Sequence, residues 1–100
     1  MNTTQIQKSV AEAIQEDPNK DYIQSISLFG SFLHGDNEPE SDIDLLFEMR
    51  KSMSLFQIVE IQERLQHKLG RKVDFVEKDS VIPQLKDEII QKAKKIYERK

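Results

Sequence analysis

The chain has 100 residues, of which 33% are charged and 37% hydrophobic, and a formal net charge of −3; that is room for one domain with a single core, and no basic footprint of a general nucleic-acid binder. Without cysteine it has no disulfide or thiolate chemistry, and a reducing compartment suits it. The first residues carry Lys8 and Glu12 rather than a signal peptide's apolar run, and no stretch nears the roughly 20 apolar residues of a membrane span, so a cytoplasmic protein away from the membrane is expected.

In chain order, Ile6, Val10, Ala13 and Ile14 recur at helical spacing and predict a first helix over residues 4–16, with Thr3 or Thr4 as its cap. Asp17-Pro18-Asn19 stops it. Residues 22–29 predict the first strand, in which the small Ser25 and Ser27 leave room beside one face. Gly30 supplies the backbone freedom for a sharp exit, and Ser31 can cap a short helix over 32–34. Residues 35–41 read as a polar loop containing Pro39.

The second strand, 42–49, alternates cleanly, with Ile43, Leu45, Phe47 and Met49 on one face. After a turn over 50–53, Ser54 caps a long amphipathic helix expected to bury Leu55, Ile58, Val59, Ile61 or Gln62, Leu65 and Leu69 before it ends at Gly70. Residues 72–77 form the third strand. Pro83 then opens a last helix whose stripe is Leu85, Ile89, Ala93 and Ile96.

The order α-β-α-β-α-β-α over a single domain, residues 1–100, predicts a mixed α/β (α+β) fold. Only a short connection separates the first two strands, so they should be antiparallel neighbours. The third joins them in a small mixed sheet. Helices should lie mainly on one face and leave the other open.

That open face is where the acids fall. Asp42 and Asp44 alternate with Ile43 and Leu45, so both point the same way, about 7 Å apart along the strand. On the third strand Asp74 likewise opposes Val73 and Phe75. Clustered carboxylates repel unless a cation lies between them, and magnesium is characteristically held by one or two carboxylates plus substrate phosphates. From residue 36 to 48 there are six acids and no Lys or Arg.

Gly30-Ser31, Gly35, Ser41-Asp42-Ile43-Asp44-Leu45 and Asp74 together resemble the nucleotidyltransferase superfamily that includes DNA polymerase beta and kanamycin nucleotidyltransferase. The closest likeness is to its smallest branch, the minimal nucleotidyltransferases, and it covers essentially the whole chain. Where that family commonly has Gly-Ser-x-Ala-Arg-Gly, this chain has Leu33-His34 in place of Ala-Arg, so a permanent cation near the phosphates is missing.

The resemblance implies two magnesium ions and ATP as substrate. Asp42 and Asp44 would be bridging metal ligands, and Asp74 a ligand on the nucleophile side that helps take the acceptor's proton. Gly30 and Ser31 would meet the phosphates. His34 stands either as a weaker substitute for the arginine or as a surface histidine. The resemblance further implies an antitoxin whose partner is a helical HEPN-type toxin, with AMP moved from ATP to a tyrosine hydroxyl of that toxin. The alternative is a module that neutralises its partner by binding alone. Lys92, Lys94, Lys95 and Arg99 are expected on the last helix, either solvated or facing a triphosphate or an acidic partner.

Overall fold

The computed structural model describes residues 2–30 and 42–99. Its elements are α1 (Thr3–Glu16), a 3-10 turn (Lys20–Tyr22), β1 (Ile23–Phe29), β2 (Ile43–Met49), α2 (Leu55–Leu69), β3 (Val73–Glu77), a second 3-10 turn (Lys78–Ser80), α3 (Pro83–Lys92) and β4 (Lys94–Glu98). The short helix expected over 32–34 and the loop over 35–41 lie outside the described residues.

Both long helices start on reciprocal side-chain caps. Asn2, rather than Thr3 or Thr4, caps α1: its Oδ1 accepts from the Gln5 amide at 2.8 Å, and the Gln5 Oε1 accepts from the Asn2 amide at 2.8 Å. The threonines are already helical, so their side chains are past the position that reaches the free amides. Ser54 caps α2 as expected, paired with Gln57 in the same way. Gly70 ends α2 at φ 66°, in the left-handed region, where a residue without Cβ is favoured.

The sheet order is β3-β2-β1-β4. β1 runs antiparallel to β2, with Ile26 opposite Phe47 and Leu28 opposite Leu45. β2 runs parallel to β3, across the α2 crossover. Ile6, Val10 and Ile14 of α1, Ile61, Leu65 and Leu69 of α2, and the Ile26, Leu28, Ile43, Leu45, Phe47, Val73 and Phe75 side chains of the sheet form one core. Phe47 and Phe75 stack with their centroids 4.1 Å apart. No helix among the described residues is long and apolar enough to cross a membrane.

Asp17, just after α1, is buried, and its carboxylate takes a forked contact from Arg64 of α2: Nε at 2.6 Å and Nη2 at 3.0 Å. The Asn19 amide also donates to it, at 2.8 Å. This pins the end of α1 to the middle of α2.

Three further expectations are corrected. The last helix stops at Lys92, and residues it was expected to include form β4, which pairs antiparallel with the free edge of β1. Leu85, Ile89, Ala93 and Ile96 do fit helical spacing, but the edge of β1 offers a row of unpaired backbone groups, and pairing there buries Ile96 to 4% exposure. Lys94 and Lys95 are therefore strand residues, and Tyr97 packs against the core. On α2, Leu55 is 74% exposed and Val59 40%, because the stripe that meets the core runs through Ile58, Ile61, Leu65 and Leu69, and Leu55 and Val59 fall to one side of it at 100° per residue. The open face, finally, is only half open. Ile90 of α3 and Ala93 line a cavity with Ser25, Ser27 and Leu46, so the end of α3 lies over the part of that face remote from the carboxylates.

Candidate active site

The parallel register sets Asp44 directly opposite Asp74. Each is flanked by buried residues of the core face, Ile43 and Leu45 around Asp44, Val73 and Phe75 around Asp74, and strand alternation therefore sends both carboxylates to the uncovered side. The Ile43 amide donates to the Lys72 carbonyl at 2.9 Å, which fixes the two strand starts side by side. Asp42 stands just ahead of β2, and its Oδ2 lies 3.7 Å from the Lys72 Nζ.

Desolvation raises the Asp44 pKa from its usual 3.8 to about 6, helped by its hydrogen bond to Asp74, which favours the protonated form, and by the charges of Asp74 and Asp42. Two anions set this close repel each other, so Asp44 holds its proton more tightly than a free carboxyl does. Such a pair is short of positive charge. Its donors are all carboxylate oxygens, which suits a hard divalent cation such as magnesium rather than a soft metal. Among the described residues, no three acidic, histidine or cysteine side chains are gathered closely enough to hold a metal as they stand. The structure brings Asp44 and Asp74 together and leaves Asp42 engaged with Lys72. That ion pair is exposed and weak, in the range of about 0–1 kcal/mol for surface pairs.

Gly30 closes the other side. Its φ is +78°, and a Cβ built on it would lie 2.1 Å from the Asp44 Oδ2, so the carboxylate rests in space that only glycine leaves free. Ser31 and His34 lie outside the described residues. Two features escaped the sequence reading. Lys72 faces Asp42 only because β2 and β3 are parallel and in that register. The cavity beside Ser25 and Ser27 needs α3 as its roof.

Residues 10–100 match the family described as Polymerase beta, Nucleotidyltransferase. A Methanocaldococcus jannaschii protein, provisionally named a protein adenylyltransferase, is 31% identical over 93 residues, covering 93% of this chain and 96% of its own length. Protein adenylyltransferase MntA of Thermococcus cleftensis is 36% identical over 59 residues, 59% of this chain and 60% of that protein. Among solved structures, a toxin–antitoxin crystal structure with AMP-PNP aligns with a TM-score of 0.78 at 22% identity, over 94% of this chain and 74% of that chain. A tri-AMPylated Shewanella oneidensis HEPN toxin in complex with MNT antitoxin aligns with a TM-score of 0.70 at 20% identity, over 96% and 72% of the two chains. At those identities the two structures speak to the fold.

Proposed function

The chain belongs to the polymerase beta nucleotidyltransferase family, and from that premise we propose that it is a protein adenylyltransferase acting as an antitoxin, moving AMP from ATP to a tyrosine hydroxyl of a HEPN-type partner. The observation that carries this reading is the Asp44–Asp74 pair, set in register on an uncovered sheet face against Gly30. The relatives named as protein adenylyltransferases support the reaction class, and the toxin-bound structures of the same fold support the partner.

In the reaction, the acceptor oxygen bonds to the α-phosphorus as the bond to the β-phosphate oxygen breaks. Pyrophosphate leaves, and the hydroxyl proton passes to a carboxylate. Asp74 is the base in this scheme, because it stands at the start of the edge strand β3, where an acceptor can approach. Asp42 and Asp44 with Asp74 would hold two magnesium ions, which when bound supply the charge neutralisation that in-line transfer needs. Gly30 gives the triphosphate close approach to the backbone, Ser31 adds a hydroxyl, and His34 takes the place of the family's arginine. Lys72 partly neutralises Asp42 through their exposed ion pair.

The test is transfer of label from ATP, with magnesium, to the candidate toxin. Asp42→Ala and Asp44→Ala should each abolish it, and label transfer that survives both substitutions refutes the assigned site. The engagement of Asp42 by Lys72 favours a second reading, a module that neutralises its partner by occupancy alone. In that case Asp42→Asn protects cells from the co-expressed toxin as well as the parent chain does.

A further inference from the structure

We infer that Gln62 and Gln66 are positioning residues for the transfer reaction. From α2 they take the place of an outer strand at the free edge of β3 and hold Asp74 opposite Asp44, an inference that rests on the nucleotidyl-transfer reading above. β3 has β2 on one side and, among the described residues, no strand on the other. The Ile43 amide donates to the Lys72 carbonyl, and in a parallel ladder the backbone groups of successive residues alternate between the two sides of a strand. Lys72 and Asp74 therefore turn theirs toward β2, and Val73 turns its N–H and C=O outward. Val73 is 0% exposed, so water cannot satisfy those groups, and buried backbone groups need partners.

The partners come from α2. Gln62 Nε2 donates to the Val73 carbonyl at 2.7 Å, and the Val73 amide donates to Gln66 Oε1 at 3.1 Å. The two glutamines are four positions apart on one helix face, so both reach a single residue. The backbone fixes their orientation: a carbonyl can meet only the NH2 end of Gln62, and an N–H only the oxygen of Gln66. Together they supply the donor and the acceptor that a neighbouring strand would offer. A cover against stray strand pairing would serve as well at Phe75 or Glu77, whose backbone groups alternate to the same side. The contact falls instead on the residue next to Asp74. The Val73 side chain is in the core, Lys72 is tied to Ile43, and the Val73 backbone is tied to α2, so β3 has no play where Asp74 stands. A reacting group displaced by about 1 Å can lose about a hundredfold in rate, which is what this bracing prevents.

The experiment makes one substitution at two places. Gln66→Glu keeps an oxygen for the Val73 amide, whereas Gln62→Glu sets a carboxylate against the Val73 carbonyl, acceptor against acceptor. Gln66→Leu removes the acceptor altogether. Three readouts are compared with the parent: hydrogen exchange at the Val73 amide, the rise in Tm on adding magnesium, and label transfer from ATP to the candidate toxin well below the lowest Tm. Val73 exchange should stay slow in Gln66→Glu and quicken by about tenfold in Gln66→Leu, the loss of one net hydrogen bond. In Gln62→Glu and Gln66→Leu, kcat should fall by about 10–100-fold with the KM for ATP unchanged, and the response of Tm to magnesium should shrink. Gln66→Glu should keep both at the parental level. If Gln62→Glu and Gln66→Leu lose Tm but keep kcat and the magnesium response, the glutamines only brace the fold; the inference is overturned and the transfer reading stands. Equal losses in the two glutamate variants, or unchanged Val73 exchange in Gln66→Leu, also overturn it. If the parent transfers no label, the transfer reading falls and the inference with it.

Discussion

Replacing Asp44 with asparagine should stabilise the metal-free protein at neutral pH while removing its response to magnesium. In the unfolded chain Asp44 gives up its proton near 3.8, whereas in the folded chain it holds it to about 6. The folded state therefore binds the proton more tightly. Below about pH 4 both states are protonated and the group is neutral to stability. As pH rises from 4 to 6 the unfolded chain gains, and above 6 the full penalty is in place. At 1.36 kcal/mol per pKa unit the upper bound is about 3 kcal/mol. Asp44 retains some solvent contact, and screening there reduces the expected figure to about 1–2 kcal/mol. For a domain of this size each kcal/mol is worth about 4–8 °C in Tm. Thermal unfolding in EDTA from pH 4 to 8 should show the parent's Tm falling relative to Asp44→Asn across pH 4–6, with the two meeting near pH 4. Magnesium at pH 7.5 should raise the parent's Tm and leave the variant's unchanged. Parallel curves over that range, or a variant less stable than the parent at pH 7.5, would refute the account of the carboxylate pair.

Gly30→Ala should lose about 1–2 kcal/mol from its positive φ alone, and the displaced Asp44 side chain should also abolish the magnesium-dependent rise in Tm. Gly70→Ala isolates the backbone effect, since nothing lies within 4 Å of a Cβ there; urea unfolding should show a loss of about 1–2 kcal/mol with label transfer intact. Arg64→Ala strands the buried Asp17 carboxylate and should cost about 3 kcal/mol. In the double variant Asp17→Asn with Arg64→Met, no charge is left buried, and denaturant midpoints should recover most of the loss. If the double variant is as unstable as Arg64→Ala, the forked contact matters for its shape and not for its charge.

Much of this protein is legible locally. The 3.6-residue spacing of Ile6, Val10 and Ile14 and the two-residue alternation from Asp42 to Met49 state which side of each element meets the core, and the same alternation sends the acids at 44 and 74 to the face opposite it. Ser54 and Gly70 marked the ends of α2 because caps act within one helical turn. What the sequence left open depended on partners distant in the chain. The helical spacing of Ile89, Ala93 and Ile96 gave way to β4 because pairing with β1 satisfies backbone groups on both strands and buries Ile96, a gain no local pattern records. The contact of Lys72 with Asp42, the carboxylate pair of Asp44 and Asp74, and the slot between Leu46 and Ile90 exist only once strands and α3 are set beside one another. Periodicity dictates the direction in which a side chain points, and tertiary pairing decides what it meets there.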